Sequence, residues 1–135
     1  MRSCSGHKEK LADVPTLDWS TGALADGLRC YQAGQFFEAH EHWEAVWLKA
    51  IEPDKTFLQG LIQITAALHH WQRGNPDGTA SLLRQALQKL ERFEDVAYQV
   101  IVAPLRLEIR EWLNAMATSG QTHLPFPEIR VRNGA

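Results

Sequence analysis

The sequence predicts an all-α protein, a single bundle of about five antiparallel helices followed by an extended C-terminal tail. Apolar residues recur at steps of three and four, and short breaks containing glycine or proline separate these periodic segments. The 135 residues suffice for one domain, and 44% hydrophobic with 22% charged residues is typical of a folded globular chain. We expect an irregular leader over 1–18, a helical domain over 19–120 and an extended tail over 121–135.

Residues that favour a start or a stop bound each predicted helix. Ser20 or Thr21 can accept hydrogen bonds from the free N–H groups of a first helix, and Gly34 can end it. Proline suits the first turn of a helix, so Pro53 and Pro104 mark later starts. In chain order, the predicted helices cover about 21–33, 35–50, 53–73, 76–95 and 104–119.

Two segments are not predicted to be helical throughout. Residues 96–103 are ambiguous, because Val100-Ile101-Val102 favours a strand while the surrounding residues favour a helix. The tail contains Pro125 and Pro127 and is predicted to be extended. Its alternation of apolar and charged residues near the end is too short to predict a sheet.

Charge and cysteine content argue against several classes of protein. Fourteen Lys and Arg against sixteen Asp and Glu give a formal net charge of −2 without a basic stripe, which disfavours nucleic-acid binding. No run approaches the roughly 18 apolar residues that cross a membrane, and the N-terminal residues lack the apolar core of a signal peptide. Two cysteines are too few for a disulfide framework or for a zinc site built from cysteines. We expect a cytoplasmic protein that binds neither nucleic acid nor membrane. A small-molecule partner, a protein partner and self-association all stay open.

The most informative segment is the second predicted helix, which contains FFEAHEHWEAVW from Phe36 to Trp47. His40 and Glu44 lie four residues apart inside its aromatic face, so both are predicted to be buried or half-buried, whereas His42 is predicted to face solvent. Burying an unpartnered polar group costs about 1–3 kcal/mol, so this pair needs partners or a function. The predicted inward arc comprises Phe36, His40, Trp43, Glu44, Trp47 and Ile51.

The third helix should supply the neighbours of this pair. An antiparallel hairpin puts Trp47 level with Phe57 and His40 level with Ile64. Gly60 would then let the backbones of the two helices approach closely.

Further polar side chains belong to the same predicted site. Gln59 and Gln63 flank the pair, and His70, on the same stripe as Gln63, could line the far end of a groove. Glu41 is the best additional carboxylate, and His69 is interpreted as a residue at the edge of the core. The candidate site therefore comprises His40, Glu41, Glu44, Trp47, Gln63 and His70.

The motif His40-x-x-x-Glu44-x-x-Trp47, preceded by Phe36-Phe37-Glu38-Ala39, resembles the signature of the bacterial and archaeal family catalogued as domain of unknown function 309. The resemblance continues through FLQGLIQ at 57–63 and covers about residues 27–90, roughly half of the chain. It implies an all-helical fold and a signature for which function and metal binding have been suggested, without an established reaction.

Three interpretations of His40 and Glu44 stay open. They could form a structural network with Gln63 and the indole of Trp43 or Trp47, anchor a small ligand or peptide, or bind a divalent metal ion that activates water. The zinc-protease pattern His-Glu-x-x-His is absent and no nucleophile stands beside the pair, so catalysis stays undecided. Our hypothesis is a small helical domain of unknown function that binds a small ligand or a metal ion at this cluster. The alternative is a non-catalytic helical protein-interaction module.

Overall fold

The computed structural model describes residues 17–132, and this part of the chain forms five helices and two short strands. The predicted all-α fold is confirmed. The prediction of an irregular leader at 1–16 and of an extended end at 133–135 lies outside the described residues. The elements are α1 (Gly22–Gln32), α2 (Phe36–Trp47), α3 (Asp54–Gln72), α4 (Pro76–Leu90), β1 (Val96–Ala97), β2 (Val100–Ile101) and α5 (Val102–Ser119).

Several helix ends follow the predicted signals, although the second and fourth helices end earlier than predicted, at Trp47 and Leu90. Gly34 adopts a φ of 77° after α1, and the side chain of Asn75 accepts a 3.2 Å hydrogen bond from the backbone N–H of Gly78 at the start of α4. Thr21 occupies the position before α1, but its side chain makes no cap hydrogen bond. The start of α1 therefore rests on packing rather than on a cap.

The ambiguous segment 96–103 forms a β-hairpin followed directly by a helix. Tyr98 and Gln99 both adopt positive φ angles, 53° and 67°, as the two central residues of a tight hairpin turn do. Helix α5 begins at Val102, two residues before the start predicted at Pro104. The prediction missed the earlier start because proline marks the first turn of a helix and not its first residue.

Each helix packs against the next helix in sequence, as expected for short connections. Helix α3 lies between α2 and α4 and supplies the largest share of the buried apolar side chains. Its side facing the core carries Phe57, Leu58, Leu61, Ile64 and Leu68, all fully buried.

The tail runs in extended form across the domain. The Trp112 indole donates a 2.8 Å hydrogen bond to the carbonyl of Pro125, and the Tyr31 hydroxyl donates to the carbonyl of Pro127. Val131 then pairs with Val100 in a single antiparallel bridge beside the hairpin. The predicted extended conformation is confirmed as far as residue 132.

No helix within residues 17–132 is both long and apolar enough to cross a membrane.

Candidate functional site

Trp43 sets the orientation of α2. Its side chain is fully buried against α1, where a Cβ atom at Gly27 would collide with the indole ring. The indole N–H donates a 3.2 Å hydrogen bond to the carbonyl of Leu24. The side of α2 that carries Trp43 therefore faces the core and α1.

This orientation corrects two of the sequence predictions. The buried side of α2 centres on Phe36, Ala39 and Trp43, and Glu44 lies about 100° around the helix from Trp43 and is exposed. Ile51, also predicted to face inward, lies beyond the end of α2 and is 78% exposed. The predicted inward face of α2 differs from the observed one by a rotation about the helix axis. The prediction relied on the large apolar residues and took little account of the small residue Ala39, which is buried.

The remaining predicted residues of α2 are half-buried. His40 and Trp47 lie about 60° and 40° from Trp43, on the side of α2 that packs against α3. His42, predicted to face solvent, is half-buried as well, on the opposite side of the helix. Among residues 17–132, the side chains of His40 and Glu44 form no hydrogen bond with each other.

Contacts at both ends of the hairpin define how α2 lies along α3. The Lys55 ammonium lies 4.3 Å from the centre of a Trp47 ring and donates a 3.1 Å hydrogen bond to the Trp47 carbonyl. At the other end, the rings of Phe37 and His69 are 5.4 Å apart. These contacts agree with the antiparallel register that puts His40 level with the middle of α3.

A stripe of half-buried, mostly polar residues at steps of four and three runs along α3, between α2 and α4. Gln63 in this stripe donates a 3.1 Å hydrogen bond to the Gln85 amide of α4, which in turn donates a 3.3 Å bond to the Ser81 hydroxyl. We call this feature the polar groove, with Lys55, Gln59, Gln63, Ala66 and His70 as its floor.

Gly60 does not lie between α2 and α3, so the prediction that it lets these two backbones approach closely was wrong. A Cβ atom at Gly60 would lie 3.4 Å from Leu90 Cδ2 and 3.5 Å from Lys89 Cβ, so the glycine faces α4. The contact between α1 and α2 that is tight enough to exclude a side chain occurs at Gly27, against the indole ring of Trp43.

The two outlying candidates have different positions. His70 lies at the end of the polar groove, where its Nδ1 is 3.0 Å from the side-chain amide nitrogen of Asn75 in the α3–α4 turn. Glu41 is exposed on the outward side of α2. His40 and Trp47 are thus half-buried on α2 and Gln63 is half-buried on α3, whereas Glu44 and Glu41 are exposed.

Two buried polar atoms at this site have no hydrogen-bond partner within the described chain: Nε1 of Trp47 and Oε1 of Gln63. The predicted structural network does not form, because the Trp43 indole bonds to Leu24 and the Gln63 amide bonds to Gln85. Most buried polar groups in folded proteins are paired, so two unpaired ones in neighbouring helices require an explanation.

Sequence reasoning missed Gln85 and Ser81 of α4, and Lys55 of α3. Ser81 and Gln85 lie four residues apart on the polar side of α4, a spacing that fits a helix surface and carries no signal of a site. Lys55 could have been found, because the predicted hairpin already placed the start of α3 beside Trp47.

Within residues 17–132, no group of three or more His, Cys, Asp and Glu side chains is arranged to hold a metal ion. His40 and Glu44 therefore provide at most two of the three or more protein ligands that a zinc site uses.

The turn before α3 carries a perturbed carboxylate. Glu52 accepts hydrogen bonds from the Thr56 hydroxyl at 2.7 Å and from the Thr56 backbone N–H at 2.9 Å. These bonds favour the ionised form and hold the pKa of Glu52 below its ordinary value. The carboxylate helps to fix the start of α3 and thereby the position of Lys55.

Comparison with known proteins identifies the region that contains this site. The family model described as "Domain of unknown function (DUF309)" matches residues 24–82, which include the motif and the floor of the polar groove. An "Uncharacterized protein" of Aquifex aeolicus (strain VF5) is 29% identical over 104 residues, which are 76% of this chain and 31% of that protein. The chain thus spans about a third of this relative's length. The family resemblance inferred from the motif is confirmed, and neither description names an activity.

Proposed function

Since residues 24–82 carry the domain of unknown function 309, whose description names no activity, we propose that the protein binds a small polar ligand in the polar groove. The proposal rests on the two unpaired buried atoms, Trp47 Nε1 and Gln63 Oε1. Leaving a buried donor or acceptor unpaired costs about 1–3 kcal/mol. A ligand that pairs with both atoms would recover this free energy.

The chemistry of these two atoms selects the class of ligand. Trp47 Nε1 can only donate a hydrogen bond, and Gln63 Oε1 can only accept one. A carboxylate offers acceptors alone and would leave Gln63 Oε1 unpaired, whereas an ammonium or amidinium ion offers donors alone and would leave Trp47 unpaired. A carboxamide offers both. Glu44 and Lys55 bring opposite charges to the edge and floor, which favours a neutral ligand.

His40 and Glu44 take supporting roles in this proposal. Both lie on the α2 side of the groove, His40 half-buried and Glu44 exposed, so they can contact the outer part of a bound molecule. A divalent metal ion held by these two residues is the competing hypothesis, and it needs a third protein ligand. Adding Zn²⁺ to chelator-stripped protein separates the two, because the carboxamide hypothesis expects no rise in the melting temperature.

An isosteric series of small molecules tests the proposal directly. Acetamide, acetate and acetamidinium share one planar shape and differ only in their donors and acceptors. We expect millimolar acetamide to shift the indole ¹H–¹⁵N resonance of Trp47, assigned with Trp47→Phe, while acetate and acetamidinium leave it in place.

Two variants complete this experiment. Gln63→Leu should abolish the acetamide shift, because it removes the acceptor while keeping a side chain of similar length. Gln88→Leu, an exposed position on α4, is the matched control and should retain the shift. An unchanged Trp47 resonance in wild type, or an equal shift in Gln63→Leu, would contradict the proposal.

A further inference from the structure

The end of α2 exposes two large apolar side chains. Leu48 is 65% exposed and Ile51 78%, the highest exposure among the large hydrophobic residues of the described chain. Isolated exposed apolar residues are common, but Ile51 also lines an open groove. A second feature is therefore needed to decide whether a partner covers them.

The groove beside Ile51 has a volume of about 490 Å³ and lies on the α1 side of α2, away from the polar groove. Leu17, Val46 and Ala50 contribute apolar surface to its wall. We call it the Ile51 groove. In a single copy of the chain, Ile51 does not face the core, contrary to the sequence prediction.

Two charges of opposite sign also line the Ile51 groove, Lys49 and Asp54. Neither residue forms an ion pair in the part of the chain that the structure describes. A two-fold axis that places two such grooves face to face brings each Lys49 towards the Asp54 of the other copy. The surface is thus self-complementary in charge, which is what an interface between identical copies with two-fold symmetry requires.

We propose that the Ile51 groove is the contact between two copies of this chain, with Ile51 of each copy covering the apolar wall of the other. The interaction is independent of ligand binding, because the polar groove lies on the other side of α2. Burial of Ile51 from each copy against the apolar wall of the other supplies the hydrophobic contribution. The paired charges set the orientation.

Sedimentation velocity of the full chain across a range of micromolar concentrations tests this interface. We expect wild type to shift with concentration from the 15.3 kDa monomer towards twice that mass. Ile51→Lys should remain monomeric over the same range. Leu107→Lys, at a position 54% exposed on α5, is the matched control and should dimerise like wild type. Thermal unfolding of each variant verifies that it is folded.

Charge exchange tests the symmetry of the contact. Lys49→Asp and Asp54→Lys each place like charges opposite one another in a homodimer, so each should weaken dimerisation by more than about tenfold. Mixing the two variants restores opposite charges at both contacts and should restore the dimer. A wild type that stays monomeric, a dimer unaffected by Ile51→Lys, or a mixture that does not associate would overturn the proposal.

Discussion

The indole of Trp43 occupies the space that a side chain at Gly27 would fill, and its N–H bonds to the carbonyl of Leu24 one turn earlier in α1. This contact joins α1 to α2 at a distance that only glycine permits. It also determines which side of α2 faces solvent. With Trp43 buried against α1, Glu44 lies about 100° further around the helix and is exposed.

Gly27→Ala should destabilise the protein, since the added methyl group collides with a ring that cannot move without losing its hydrogen bond. Overpacking of this kind costs about 1–3 kcal/mol, and the free energy of unfolding in urea measures it. Gly60→Ala is the matched control on α3. In this variant the new Cβ atom would lie 3.4 Å from Leu90 Cδ2. Replacing a helical glycine by alanine raises the free energy of unfolding by up to about 1 kcal/mol. Equal stability changes in the two variants would show that the Trp43–Gly27 contact is not tight.

The five helices were predictable from the sequence because their boundaries depend on local chemistry. Gly34 and Gly120 end helices with φ angles near 75°, and the proline at position 76 begins α4, so each signal acts within one turn. The hairpin at 96–101 was harder to predict. Its turn uses Tyr98 and Gln99 at positive φ, where asparagine and glycine would have been the recognisable residues.

The candidate site was predictable only in part, because helix rotation depends on tertiary contacts. The motif located α2, and the predicted antiparallel register agrees with the contacts of Trp47 with Lys55 and of Phe37 with His69. The rotation of α2 depends on Gly27, a residue of another helix, and therefore Glu44 was assigned to the wrong side. The bond between Gln63 and Gln85 joins residues 22 positions apart, and nothing in either local sequence indicates it.

His40→Ala should change stability by less than about 1 kcal/mol, because the half-buried imidazole makes no hydrogen bond with any other residue from 17 to 132. Trp43→Ala should cost about 3–5 kcal/mol, as expected for removing a buried aromatic side chain. Urea unfolding followed by circular dichroism measures both. A loss for His40→Ala as large as that for Trp43→Ala would restore the structural interpretation of the motif and weaken the case for a binding site.

The pKa of Glu52 should lie below its ordinary value, and Thr56→Val should raise it towards that value, because the hydroxyl bond is the main cause of the shift. A carboxyl whose pKa is lowered by folding stabilises the protein above its unfolded-state pKa, and this contribution disappears as the pH falls. Carbon-detected NMR titration of the Glu52 side chain measures the effect. Glu94→Gln, at an exposed position, should leave the Glu52 titration unchanged, and an identical Glu52 pKa in Thr56→Val would contradict the assignment.

Stability should fall at alkaline pH because the folded state resists ionisation of both tyrosines. Burial raises the pKa of Tyr31, and Glu108 and Glu128 nearby add to the shift. Burial also raises the pKa of Tyr98, with the Asp54 side chain contributing. A group whose pKa is higher in the folded state stabilises the protein below its unfolded-state pKa, near 10 for tyrosine, and this stabilisation is lost as the pH rises beyond it.

Tyr31→Phe isolates the contribution of the tail contact. At neutral pH this variant should be less stable by about 1–3 kcal/mol, because the carbonyl of Pro127 loses its buried donor. Its stability should nevertheless decline less steeply than that of wild type above pH 10, since one of the two shifted groups is gone. Urea unfolding between pH 7 and 11 measures both effects, and absorbance at 295 nm follows the phenolate directly. A decline as steep as in wild type would mean that Tyr31 ionises without unfolding the domain, contrary to its position beneath the tail.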